Sequence, residues 1–283
     1  MLVDALKIGF SSISNLKEKF TTISDQVLPI ITELDRNGLI TESEFNITDK
    51  SVSGAQLYRE LFSSFDVMKI KYANSNFYNL LLDKKITRPQ LIGYVMEYYQ
   101  LVKLTPGLIA PALTKIESKK IRRVLQDFFK SELYHDTLLE ESLNSVEVDI
   151  DLLDYVQPLQ TTFGICASLG VYAQQHPLTF KAALFIFEEP YPEFNDAFKD
   201  RCIQLDMPQN FYEPILKHSN INEEGKHDSI SQILLEDIGA ISYEEKITVK
   251  KHFAILVESL LKQEEEVIRF YGAMENFKAR LFI

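Results

Sequence analysis

An all-α bundle is the fold this sequence predicts, and three observations carry the prediction. Glycine and proline number only ten each over 283 residues, too few punctuators for many short strands and tight turns. Apolar residues recur at intervals of three and four along nearly the whole chain, the period of a one-sided helix. No stretch shows the strict alternation of a half-buried strand, and no low-complexity tract or solenoid-type repeat breaks the pattern.

Taken in order, residues 4–36 place Leu6, Phe10, Ile13, Leu16, Phe20, Ile23, Val27, Ile30, Ile31 and Leu34 on one helical face, and "RNG" at 36–38 supplies a glycine stop. The polar stretch "TESEFNITDKSVSG" at 41–54 reads as a linker. It separates an N-terminal helical appendage, 1–50, from a main helical domain, 55–283. The domain opens with helices at 55–83 and 87–104, the second starting at "TRPQ" with Pro89 in its first turn. "TPG" at 105–107 is expected to end that helix. Residues 108–144 follow as one long helix interrupted near Pro111. Further helices are expected at 149–156, 158–175, 177–189, 193–206, 209–218, 226–239 and 242–279.

Composition narrows the function. With 46% hydrophobic residues the chain has ample material for a core. A net charge of −11 repels phosphate backbones and anionic lipid, so neither nucleic acid nor a membrane is an expected partner. The basic cluster "TKIESKKIRR" at 114–123 reads as a solvated helix face. The longest apolar run, "FGICASLGVYA" at 163–173, is too short to span a bilayer. The start of the chain lacks the features of a secretory signal, and the two cysteines, Cys166 and Cys202, fit buried thiols in a reducing compartment. A cytoplasmic protein is expected.

The chemistry-bearing pattern is a repeated Glu-x-x-His. "SELYHDTLLEESL" (131–143) holds Glu132 and His135, and "NEEGKHDSISQILL" (222–235) holds Glu224 and His227, in a chain with only five histidines. On a helix, positions i and i+3 project to the same side, so each pair can offer an oxygen and a nitrogen to one point. Carboxylates and imidazoles from several helices are how bundles hold two divalent ions, the acids balancing charge and the neutral imidazoles adding none. The competing reading is two exposed helix pairs in a glutamate-rich protein. "KAALFIFEEPYPEF" (181–194) adds Glu188 and Glu189 at the end of an apolar helix, where a buried carboxylate needs a partner or a metal. Solvent exposure of both glutamates before Pro190 is the alternative. His218 lies nine residues before His227, and on one unbroken helix the two would face opposite ways. The stretch "SNINEEG" is composed to bend or unwind.

These segments resemble the heme-oxygenase-like di-metal oxidases, relatives of heme oxygenase, TenA and pyrroloquinoline-quinone synthase. "YVMEYYQLVKLTPGLIAPAL", "SELYHDTLLEESL", "PLQTTFGICASLGVYAQQHPLTFKAALFIFEEP" and "HSNINEEGKHDSISQIL" carry the resemblance, which covers about 90–235. It implies a heme-oxygenase-like helical bundle, here with an extra N-terminal helix. By position it makes Glu132, His135, Glu188, His218 and His227 metal ligands. The family's third core helix reads His-x-x-x-Asp-x-x-His. This sequence spaces its histidines two residues wider and has no aspartate between them, so Glu224 or Asn222 would take that place, or a single ion would bind. The resemblance further implies an oxygen-dependent oxidoreductase with two iron ions, or iron and manganese, at a non-heme centre. It would act on a small organic substrate such as a fatty acid, amino acid or amine, with an unidentified electron donor and as a homodimer.

Other readings stay open. A ferritin-like di-iron protein would use Glu97, Glu132, His135, Glu189, Glu224 and His227, with the same gap from glutamate to motif in both halves. A TenA thiaminase would use a cysteine nucleophile closely following a proline, whereas Cys166 comes well after Pro158. A cofactor-free oxidase would not need the clustered acids, and heme oxygenase needs an early histidine that the first 134 residues lack. A non-catalytic interaction protein on the same scaffold is the non-enzyme alternative. Phe163, Leu169, Phe185 and Phe187 are candidate cavity lining. Lys181, Arg122 and Arg123 are candidate holders of a substrate carboxylate. His176 and His252 fit none of the site arrangements and read as structural or surface residues.

Overall fold

The computed structural model describes residues 2–8, 12–37, 39–40, 51–73, 76–188, 192–224 and 230–273, without side chains at 8, 35–36, 66–73 and 220–224. Fifteen α-helices are present among them: α1 Leu2–Ile8, α2 Ile13–Lys19, α3 Ser24–Arg36, α4 Gly54–Ala73, α5 Asn76–Leu82, α6 Arg88–Ile109, α7 Lys119–Ser131, α8 Asp136–Asn144, α9 Ile150–Leu153, α10 Gln160–Gln175, α11 Pro177–Glu188, α12 Pro192–Gln204, α13 Gln209–Glu224, α14 Ile230–Glu236 and α15 Tyr243–Gly272. Short 3₁₀ turns cover Thr21–Ile23 and Ala110–Thr114. The described residues contain no strand, only an isolated bridge in which the Val52 and Ile241 backbones exchange N–H···O bonds of 2.9 and 2.8 Å.

The centre of the bundle is α6, α10, α11 and α15, with α8 and α13 packed together over one end of α6. One core gathers Leu91, Val95, Tyr99, Leu139, Leu143, Phe211 and Tyr271 from α6, α8, α13 and α15. A second, around Ile121, Leu125, Ile165, Phe180, Leu184 and Leu234, joins α7, α10, α11 and α14. A third, around Leu57, Leu61, Phe185 and Phe253, seats α4 against α11 and α15. Leu2, Ala5, Leu16 and Val27 form a separate small cluster within the N-terminal segment.

Breaks fall where the sequence pattern conceals them. The expected single helix over 4–36 is several short ones: the Ser12 side chain accepts from the Asn15 N–H and starts α2, and the chain turns at Phe20. Conversely, α6 does not end at "TPG" but runs through Pro106 to Ile109. The hydroxyl of Thr105 donates to the Leu101 carbonyl at 3.0 Å, a local side-chain bond in the turn where proline removes a backbone donor. The helix expected over 108–144 is interrupted at Pro111, as expected, by a 3₁₀ turn, but the remainder is two helices, α7 and α8, and the gap between them contains Glu132 and His135.

Two acids, the buried Glu97 and the half-buried Glu266, place the central helices. Leu159, just before α10, has no capping side chain of its own. Instead its N–H donates to Glu97 Oε2 of α6 at 2.8 Å, and the Thr161 N–H donates to Glu266 Oε2 of α15 at 3.0 Å. Two carboxylates from neighbouring helices thus satisfy the orphan donors and complement the dipole at the start of α10. The other oxygen of Glu97 accepts from the Tyr271 hydroxyl at 2.7 Å. Among the described residues, no helix is long and apolar enough to cross a membrane.

Candidate metal centre

Glu132 and His135 are not on a helix, as their spacing predicts, but in the turn that joins α7 to α8. Glu132 caps the end of α7 at φ −76°, ψ −10°. Tyr134 takes the left-handed region at φ 69°, and His135 leads into α8. The helix is broken here, yet the two side chains still meet: His135 Nδ1 is 3.3 Å from Glu132 Oε2. Both are buried.

Glu188 ends α11 and is buried behind Leu184 and Phe185. His218 is in the middle of α13 and is only 4% exposed. Its ring stands edge-on to that of His135, with centroids 5.0 Å apart at 81°. On another side His218 Nδ1 is hydrogen-bonded to the Tyr98 hydroxyl of α6 at 2.8 Å, and the two rings are 5.4 Å apart. Burial, followed by nearby charge that includes Glu188 and Glu132, holds the Tyr98 phenol well above its ordinary pKa. Tyr98 is therefore a neutral phenol at physiological pH.

Glu132, Glu188, His218 and Tyr98 share the wall of one cavity of about 70 Å³. Leu101, Val102, Leu108, Ile109, Phe128, Leu169, Phe180, Leu184 and Phe187 complete its apolar lining, with Thr105 beside them. That volume holds a few waters or a slender organic group. The site is thus a polar end of two carboxylates, an imidazole and a phenol closing an apolar chamber, with His135 against it.

Three solved structures have the same architecture. A domain of unknown function with a heme oxygenase-like fold from Shewanella denitrificans OS217 superposes with a TM-score of 0.63 at 18% identity, over 78% of this chain and 94% of its own. A TenA homologue from Pseudomonas syringae pv. tomato strain DC3000 gives 0.63 at 15% identity, over 76% and 93%. The TenA homologue of P. horikoshii OT3 gives 0.57 at 16%, over 75% and 98%. The chain has the heme-oxygenase-like fold. No protein-family model matches the sequence, nor does any curated protein.

In this heme-oxygenase-like bundle, four of the expected ligands, Glu132, His135, Glu188 and His218, come together. The side chains of Asn222 and Glu224, and His227 and Glu189 entirely, lie outside the described residues. Among the described residues, no three His, Cys, Asp or Glu side chains close on one point at metal-holding geometry. The donor set itself, two acids and two imidazoles in an apolar surround, is of the kind that holds iron or manganese in helical bundles.

Glu97, needed by the ferritin-like arrangement, is spent on α10 and Tyr271 and does not line the cavity. Burial pushes the Cys166 thiol up to about 11 and the Cys202 thiol to about 12, and neither lines the cavity. Of the expected lining, Leu169 and Phe187 are present. Phe185 packs instead on Phe65 and Tyr58, and Phe163 is 60% exposed. Lys181 is buried in an ion pair with Glu117 at 2.7 Å, away from the cavity wall. His176 and His252 stand together elsewhere, 4.9 Å apart, with His252 stacked on Tyr172. Tyr98 was not expected as a site residue. Its signal was the polar tip of an aromatic pair beside Glu97 in an otherwise apolar helix, which cannot be told from core packing without knowing which face His218 meets.

Proposed function

We propose that this chain is an oxygen-dependent oxidoreductase whose non-heme iron centre is built on Glu132, His135, Glu188 and His218. Glu224 or Asn222, together with His227, would complete it. The observation that supports this reading is the burial of two carboxylates and an imidazole, from α11, α13 and the α7–α8 turn, in the wall of one apolar cavity, with the buried His135 against Glu132 and His218. Acids in such surroundings are costly unless their charge is matched, and two divalent ions would match it.

Bound iron would supply the redox chemistry with O₂ that no side chain here can perform. The remaining work belongs to the protein. Glu132 and Glu188 offset cationic charge, while His135 and His218 add neutral donors. The leucine and phenylalanine wall excludes water and holds an apolar portion of a small substrate by contact. A cysteine-nucleophile reading gains no support from the geometry, because both thiols are buried, protonated and off the cavity wall.

The test is anaerobic Fe(II) titration of metal-free protein, followed by admission of air with dissolved O₂ monitored. About two ions should bind per chain, as expected for paired Glu-x-x-His bundles. Oxygen uptake should follow the metal content, and His135→Ala and Glu188→Ala should each weaken binding by at least about tenfold. Fe(II) binding no better than background in the wild-type chain would end this reading.

A further inference from the structure

We propose that Tyr98 is a positioning residue: its hydroxyl holds Nδ1 of His218, fixes the ring's orientation with one tautomer in each state, metal-free and loaded, and makes Nε2 the nitrogen that serves the site. That Nε2 serves a metal rests on the function proposed above; the pinning of the ring does not.

The geometry is specific. A neutral imidazole has one N–H and one lone pair, and nothing intrinsic to the ring decides strongly which nitrogen carries which. His218 is buried, so bulk water does not make that choice. Its Nδ1 is 2.8 Å from the Tyr98 hydroxyl, while the ring is held edge-on by Tyr98 on one side and His135 on another. A ring flip would put Cδ2 where Nδ1 stands and break the hydrogen bond. With Nδ1 committed to α6, Nε2 is the atom left to act as ligand.

A hydroxyl suits this task because it both donates and accepts. When Tyr98 donates to Nδ1, the ring proton is on Nε2. When Nε2 gives its lone pair to a metal, the proton belongs on Nδ1, which then donates to the Tyr98 oxygen. The phenol proton must then turn to another acceptor. Glu188 and Glu132 line the same cavity, and their charge reaches the phenol. Tyr98 can therefore keep its hydrogen bond to His218 through metal binding, whichever of the two atoms carries the proton. Hydrogen bonds of this outer kind orient metal-binding histidines and raise their basicity.

The experiment uses full-length protein carrying ¹⁵N-histidine, with long-range ¹H–¹⁵N correlation spectra of the metal-free chain and after addition of Zn(II). Metal-free wild-type His218 should show a single tautomer, and Zn(II) should give a single form protonated on Nδ1 with the metal on Nε2. Tyr98→Phe should give a mixture of tautomers and bind Zn(II) about tenfold to hundredfold more weakly. Tyr94→Phe, which removes a neighbouring hydroxyl, should change neither. The His176 and His252 signals, from residues that do not line the cavity, report whether each variant is folded. A tautomer mixture in the wild type, or a folded Y98F chain with wild-type tautomer and affinity, overturns the proposal. Pinning by Tyr98 in a chain that binds no Zn(II) would uphold the positioning role and count against the metal centre.

Discussion

Glu97 and Glu132 are both buried glutamates near the same helix bundle, and their neighbours give them different work. Glu97 accepts the Leu159 N–H with one oxygen and the Tyr271 hydroxyl with the other. Replacing it by glutamine turns one acceptor into an NH₂ group facing a donor, so Glu97→Gln should cost about 1–3 kcal/mol in urea unfolding. The same variant should leave Fe(II) binding unchanged, because Glu97 does not line the cavity. A loss of iron without a loss of stability would instead favour the ferritin-like arrangement. Glu132 meets an imidazole at 3.3 Å and borders the cavity. Residue type and spacing placed both acids in the candidate set. Only the partners of Glu97, brought from 62 and 174 residues away, separate it from Glu132.

The α7–α8 junction is the element on which the site depends. A regular helix through 132–135 would have projected Glu132 and His135 together, which is why the spacing made them legible in the sequence. The chain reaches the same meeting by a turn in which Tyr134 has φ 69° and is 77% exposed. A left-handed, non-glycine residue costs on the order of 1 kcal/mol, and no ring contact of Tyr134 accompanies it among the described residues. Tyr134→Gly should therefore be neutral or stabilising by up to about 1 kcal/mol while keeping metal affinity. Tyr134→Val, β-branched and ill-suited to that region, should destabilise by about 1–2 kcal/mol and weaken Fe(II) binding as the turn opens. Equal stability for the two variants would show that the turn carries no strain. This junction also marks the limit of reading helices from periodicity. Ile121, Leu125 and Phe128 are buried on α7, and Leu139 and Leu143 on α8. Their spacing continues across the break almost in phase, so the apolar pattern gives no sign of it. Pro106 misleads in the opposite sense, since a proline tolerated within α6 looks like a terminus.

At the scale of the molecule, the fold was legible because amphipathic helices with few breakers have few ways to bury their apolar faces. The pairing of helices is less legible, because it depends on polar contacts between distant segments, and those contacts make stability depend on pH. Glu60 of α4 pairs with Lys246 and Lys250 of α15 at 2.9 and 2.5 Å. Burial alone would raise its pKa, but the two lysines outweigh it and hold the carboxyl below its ordinary 4.5. His252, on the same helix, is held below its ordinary 6.5 by burial first and by the neighbouring His176 second. In both cases the unfolded chain takes up the proton more readily than the folded one, so stability rises with pH through each window. The contribution at His252 is fully present above pH 6.5 and is lost as pH falls through that value. The one at Glu60 persists to lower pH and is lost below 4.5. Urea midpoints measured downward from neutral pH should therefore decline in two stages. His252→Asn, which keeps a polar group opposite Thr179 but cannot take up the proton, should flatten the first stage and leave the second. Glu60→Gln should lower stability at neutral pH and flatten the second stage alone. A first stage that survives His252→Asn would assign it to another histidine and remove the α10–α15 contact as its cause.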